Sequence, residues 1–343
     1  MNFSVLLFKR FYKSFRIGIL PVLMLSILSC STNPVTGKKD FSLINKEQEL
    51  AIGAQGHRSI MKQKKPLNNA KIQAYVNNLG QQLARQSHRK DIKYTFTVLD
   101  DPSVNAFALP GGFIYITTGI MAYLNSEGEL AGVLGHEIAH VTARHGVKQQ
   151  SANLASSVLL GVLAKQAGGS GNELNSLNKA LISGYGRDHE LEADRLGAEY
   201  LARVGFAPKK MIDVVSVLKS QEEFSKAKAL SEGRQPASYH GVFASHPRND
   251  LRLQKIIAAA DKFKQGATRD DGHDRYLNMI AGLKYRIDKK NTGRIVVGRA
   301  KTSAITYASL AKQSRVNEQR LRLLNGMFPN GQPIPGRLVK IIQ

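Results

Sequence analysis

Ile72, Tyr75, Val76, Leu79 and Leu83 recur every three or four positions through residues 69–85, the spacing that puts apolar side chains on one face of a helix. Residues 47–61 repeat that period, and the two segments read as packing helices. Across 92–99 the period drops to two, with Tyr94, Phe96 and Val98 alternating against Lys93, Thr95 and Thr97, as in a strand with one buried side. A second strand is expected over Phe113-Ile114-Tyr115-Ile116-Thr117, after a Pro110-Gly111-Gly112 corner whose residues suit a sharp turn. Helical spacing then prevails over 126–149, 153–166, 176–204 and 211–218. Little periodicity survives between 230 and 246, where Gly233, Pro236 and Gly241 mark a long loop of the kind that commonly carries function. Residues 250–263 are amphipathic again through Leu251, Leu253, Ile256 and Ile257, so a folded unit is expected to close near Phe263. The pattern predicts an α+β fold, mostly helical with a small sheet, over 47–263.

A chain of 343 residues exceeds what one hydrophobic core commonly organises, which calls for a second, smaller unit. Residues 264–290 read as a connecting segment with a linker over 265–272, and 291–343 as a small basic unit expected to fold separately. From Lys284 onward there are 13 Lys or Arg against two acids. Residues 30–46, with Asn33-Pro34 and Thr36-Gly37, read as an extended tether. No internal repeat of solenoid length is present.

The first residues belong to no core. Lys9, Arg10, Lys13 and Arg16 precede an uncharged apolar run over 17–28 that meets Ser29 and Cys30, the order of an export signal. A spanning helix requires about 20 apolar residues, so a cleaved signal over 1–29 is favoured over the competing reading, an uncleaved anchor. Cys30, the only cysteine, ends Ile27-Leu28-Ser29-Cys30, which resembles a bacterial lipoprotein signal. Cleavage there would leave Cys30 as a lipidated first residue, and two or more acyl chains anchor stably. Ser31 resembles the residue that follows the cysteine in lipoproteins sorted to an outer membrane. The expectation is an exported, lipid-anchored, periplasm-facing protein. A formal charge of +23 then favours an anionic envelope partner such as lipid head groups or peptidoglycan, and export excludes nucleic acid. The competing reading is a basic surface that is merely solvated.

Chemistry concentrates in Leu134-Gly135-His136-Glu137-Ile138-Ala139-His140. Residues four apart share a helix face, so His136 and His140 can offer two imidazoles to one ion, with Glu137 projecting beside them toward a water. The flanking Leu130, Val133, Leu134 and Ile138 mark this helix as buried, where such polar groups are costly without a partner. These ligands suit one Zn2+ per chain, and a catalytic zinc commonly takes a third protein ligand. His145 lies five residues after His140, the wrong spacing for a metzincin ligand, and reads as structural. Glu190 in Asp188-His189-Glu190-Leu191-Glu192-Ala193-Asp194 is the stronger candidate, with Asp194 one turn on to accept a hydrogen bond from a ligand histidine. His189 and Glu192 point off that face and read as solvated or structural. Thermolysin-like gluzincins share such a His-His-Glu set. The chemistry expected is hydrolysis of an amide, with Glu137 as general base toward a zinc-activated water.

Five segments in order carry a wider resemblance: Gln48-Glu49-Leu50-Ala51-Ile52-Gly53, Asn105-Ala106-Phe107-Ala108-Leu109-Pro110-Gly111-Gly112, the His136 to His140 motif, Glu190 to Asp194, and Ser245-His246-Pro247 with Arg252. Together they resemble the metallopeptidase family that includes the beta-barrel assembly-enhancing proteases, the heat-shock membrane protease and the CaaX prenyl proteases. The resemblance implies a zincin-type domain with zinc on His136, His140 and Glu190, and Glu137 as base. It implies that the strand after Gly112 is an edge on which an extended substrate adds as a further strand. Arg252 would contact substrate or transition-state oxygen, against the reading of a surface arginine. His246 would cap the zinc in a latent state, against the reading of an exposed loop histidine. The tail resembles a small α/β LysM-like module through Ile295-Val296-Val297, Tyr307-Ala308-Ser309-Leu310-Ala311 and Pro335-Gly336-Arg337-Leu338-Val339. It departs at Lys301-Thr302-Ser303, where Gly-Asp-Thr is usual, which leaves glycan binding open. The resemblance implies an endopeptidase acting on misfolded or stalled envelope proteins. The alternatives are a cell-wall peptide hydrolase and a non-proteolytic assembly factor with a structural zinc site.

Overall fold

The computed structural model describes residues 30–166, 185–235, 255, 256, 258, 262, 263 and 268–343. The expected signal over 1–29, His246 and Arg252 lie outside the described residues. The described residues open with a short antiparallel pair, β1 (Cys30–Thr32) and β2 (Lys39–Phe41), within the segment expected to be an extended tether. Two helices follow, α1 (Lys46–Gln63) and α2 (Ala70–Gln86). A capping box between Asn45 and Gln48 starts α1, and the Asn69 side chain accepts from the Ile72 amide at the start of α2. Ile72, Val76, Leu79 and Leu83 form the buried face of α2, as their spacing requires.

The first sheet holds β3 (Thr95–Leu99), β4 (Ala106–Leu109) and β5 (Phe113–Thr117) in the order β3-β5-β4. β5 runs parallel to β3 and antiparallel to β4. This corrects the expectation that the strand after Gly112 is an edge. The Pro110–Gly112 turn closes a hairpin with Ala106–Leu109, a strand that weak alternation had hidden, and β3 takes the other side of β5. Among the described residues the edges of this sheet are therefore β3 and β4.

After α3 (Thr118–Tyr123) comes α4 (Glu127–Thr142), capped by the Ser126 side chain and buried along its whole length. The expected single helix over 126–149 is broken. Arg144 adopts a left-handed conformation (φ 57°), and α5 (His145–Gln166) sets off in a new direction. α6 (Arg187–Arg203) packs across α4, and α7 (Lys210–Ser231) packs beside it against α4. Gly135 and Gly197 face each other at the α4–α6 crossing; a Cβ on Gly197 would lie 3.2 Å from the His136 amide nitrogen. The missing side chains let the two backbones approach closely.

The basic tail is built from α8 (His273–Ile280), β6 (Lys284–Arg286), β7 (Thr292–Arg299), α9 (Tyr307–Ala311), α10 (Glu318–Leu324) and β8 (Leu338–Ile342). Its antiparallel sheet has the order β6-β7-β8. Part of the expected connecting segment is thus helix and strand, with Tyr276, Leu277 and Ile280 fully buried. Charge composition suggested separate folding, but Ile295, Tyr307, Leu321 and Ile342 join Leu130 and Leu134 of α4 in one continuous core. Two polar ties reinforce that union. The Tyr276 hydroxyl donates to Met121 O (2.6 Å), and the buried Lys340 Nζ donates to Ala122 O (2.8 Å) and Leu124 O (2.7 Å). Among the described residues, no helix is long and apolar enough to cross a membrane.

Candidate metal centre

One turn of α4 separates His136 from His140, and their Nε2 atoms lie 3.0 Å apart. Glu190, near the start of α6, brings Oε2 to 3.5 Å from His136 Nε2 and Oε1 to 3.4 Å from His140 Nε2. One ligand atom from each of the three residues can be chosen so that all lie within 4.8 Å of one another, and all three residues are buried. Tetrahedral ligands about 2.0–2.1 Å from a zinc ion sit about 3.3 Å apart, so the spacing and the N,N,O donor set fit zinc. Among the described residues this is the cluster able to hold a metal ion.

The surroundings orient each ligand. His136 turns Nδ1 to within 2.9 Å of Asp194 Oδ1, one turn beyond Glu190 on α6. Burial alone would lower the His136 imidazole, yet hydrogen bonds to Asp194 and Glu190 raise it to about 10. The carboxylates that favour a proton there favour a divalent cation in its place. His140, fully buried, is driven well below the ordinary imidazole value despite its bond to Glu190. Tyr185 stacks on the His140 ring at 4.0 Å and 15°, and burial pushes its phenol upward. Glu137 is buried on the helix turn that carries both histidines.

A second set of contacts, not legible from spacing, lies behind His140. His145 Nδ1 lies 2.8 Å from His140 Nδ1, and His145 Nε2 lies 3.1 Å from Glu192 Oε2. Burial lowers the His145 imidazole to about 4 against the opposing pull of Glu192. Both residues had read as merely structural or solvated. On an unbroken helix His145 would sit about 140° around from His140, and only the break at Arg144 turns it back. Tyr185 fell within the stretch 176–204 expected to be helical, but it lies ahead of α6, which begins at Arg187.

Farther out, Glu49 on α1 receives Arg89 and Arg144, and also accepts from the Gly111 amide at 3.3 Å. The β4 end and its turn lie beside the centre, where Ala108, Leu109 and Pro110 line a small cavity with His140 and Tyr185. Cys30 begins β1 opposite Phe41.

Comparison with known proteins agrees with this geometry. The model of peptidase family M48 matches residues 70–260. The chain is 30% identical over 248 residues to the beta-barrel assembly-enhancing protease of Escherichia coli, covering 69% of this chain and 48% of that protein. It is 25% identical over 228 residues to the mitochondrial metalloendopeptidase OMA1 of Schizosaccharomyces pombe, covering 65% of this chain and 64% of the relative. The chain thus spans about half the length of the bacterial relative. With a family model running across more than half of its residues, and with both helices of the His-His-Glu cluster inside the match, the chain belongs to peptidase family M48.

Proposed function

We propose that this chain is a zinc-dependent endopeptidase that cleaves unfolded or stalled proteins of the cell envelope. The observation that carries the reading is the convergence of His136, His140 and Glu190 beside a buried carboxylate, Glu137, on the same helix. A purely structural zinc site needs no adjacent base, which counts against a non-proteolytic assembly factor. Bound to the three ligands, zinc supplies Lewis acidity that polarises a carbonyl and acidifies water. Glu137 takes the proton of the attacking water and passes it to the leaving amine. Asp194 holds the His136 ring by its Nδ1. Edge strand β4, beside His140, offers main-chain groups to an extended substrate, and main-chain pairing gives broad sequence tolerance.

The envelope setting rests on the beta-barrel assembly-enhancing relative and on the lipoprotein-like signal ending at Cys30. His246 as a latent cap on the metal and Arg252 as an oxygen contact belong to the same proposal, on the strength of their sequence match. The β7-α9-α10-β8 order, with β7 and β8 antiparallel, supports a LysM-like module and favours a second reading, cleavage of cell-wall peptides. Its basic surface suits an anionic envelope polymer.

The decisive comparison sets wild type against Glu137→Gln on unfolded casein and on purified peptidoglycan, with zinc content measured in both proteins. Casein cleavage by wild type and a loss of at least 100-fold in the variant at equal zinc are expected. Equal activity refutes the mechanism, and release of peptides from peptidoglycan alone favours the second reading.

A further inference from the structure

His140 presents Nε2 to the metal cluster and turns Nδ1 outward, onto the Nδ1 of His145 at 2.8 Å. The other nitrogen of His145 reaches Glu192 Oε2 at 3.1 Å. The direction of this chain follows from its far end. An ionised carboxylate only accepts, so His145 Nε2 carries the hydrogen. In a neutral ring Nδ1 is then bare and accepts from Nδ1–H of His140. That leaves the His140 Nε2 lone pair open toward the cluster. The opposite tautomer would place a hydrogen on Nε2 and close it to a cation. His136 has a one-step version of the same arrangement, through Asp194 at 2.9 Å.

The geometry around His145 holds the arrangement in place. The ring is fully buried, is stacked on His189 at 4.3 Å and 19°, and begins α5 immediately after the left-handed Arg144. Glu192 sits two residues beyond Glu190 on α6, so one helix supplies a metal ligand and the anchor of another ligand's orientation. We infer that His145 and Glu192 are positioning residues for the metal, a two-step hydrogen-bond relay that selects the tautomer of His140 and aims its ring. The inference rests on the zinc reading of the centre.

The test uses the full chain and three substitutions, His145→Phe, Glu192→Ala and Glu192→Gln. The readouts are the zinc dissociation constant by chelator competition, the visible spectrum of the cobalt-substituted protein, and the melting temperature of the metal-free protein. Expected are a 10–100-fold weaker zinc affinity and an altered cobalt spectrum for His145→Phe and Glu192→Ala. Glu192→Gln keeps an acceptor oxygen and stays within a few-fold of wild type. Metal-free melting is unchanged for Glu192→Ala, whose side chain is 26% exposed. Wild-type affinity and spectrum in both His145→Phe and Glu192→Ala overturn the relay, as does an affinity loss in Glu192→Ala that tracks lower metal-free stability and is not restored by glutamine. Failure of wild type itself to bind zinc refutes the metal reading beneath it, which separates the two failures.

Discussion

Glu49 sits between two guanidinium groups, accepting from Arg89 at 2.6 and 3.0 Å and from Arg144 at 2.9 Å, all three side chains buried. Arg89 also donates to Val141 O at the end of α4, and Arg144 to Ile44 O ahead of α1. One carboxylate thereby bridges two buried guanidinium groups and joins α1, the end of the metal helix and the turn into β5. Buried ion pairs add little net stability when complete, but removing one partner strands the other charge at a cost of about 3–5 kcal/mol. Glu49→Ala is accordingly expected to lower the unfolding free energy by about that amount, since Arg89 and Arg144 both lose their bonds to the carboxylate. Denaturant unfolding measures it, and a loss under about 1 kcal/mol contradicts the account.

At the scale of elements, the site depends on three close approaches. The α4–α6 crossing at Gly135 and Gly197 brings Glu190 to the two histidines. The break at Arg144 swings His145 back onto His140. Gly53 of α1 lets the Pro110 carbonyl pack against its backbone, since a Cβ there would lie 1.9 Å from that oxygen. Gly53→Ala therefore has to push α1 away from the turn that leads out of edge strand β4. Helix propensity favours alanine by about 1 kcal/mol, while forced separation of packed backbone costs about 1–3 kcal/mol. Because the obstacle is backbone, the steric cost wins. The variant is expected to be less stable by thermal unfolding and to cleave an unfolded protein more slowly at full zinc loading; a rise in melting temperature would sink this reading.

Across the whole molecule, Lys340 pins the basic tail to the peptidase domain. Its Nζ donates to two carbonyls, which a neutral amine with two hydrogens satisfies. Burial pulls the Lys340 amine down to about 7 against the attraction of Glu129, while burial raises Glu129 to about 7, with Lys210 and Asp213 the nearby charges. The sign follows from proton counts. Between about 7 and the ordinary lysine value of 10.5 the unfolded chain holds a proton that the folded chain has released, so this contribution to stability grows as pH rises and is lost as pH falls through about 7. Glu129 works in the lower window, holding a proton in the folded chain from 4.5 up to about 7, and its contribution falls as pH rises there. The stability difference between wild type and Lys340→Met should therefore climb from pH 7 to pH 10, as read by denaturant unfolding at several pH values. A flat difference would mean that Lys340 keeps its proton inside the fold.

Local sequence determined what repeats within a turn or a strand. The buried face of α2, the alternation of β3 and the pairing of His136 with His140 follow from spacing alone, because a helix fixes which residues share a side. Glu190 and Asp194 were legible for the same reason, as two carboxylates one turn apart. Tertiary structure alone decided how such local units meet. The edge position of β4 depended on which strand β3 joined, and a four-residue strand has too little alternation to announce itself. His145 and Glu192 looked misplaced because a helical wheel assumes an unbroken helix, whereas one left-handed residue re-aims everything after it. Tail charge suggested a separate unit, yet a lysine, the residue type least expected inside, lies buried at the junction because two backbone carbonyls there accept its hydrogens. Spacing encodes direction along one element; the distance between elements is set by what their surfaces allow to touch.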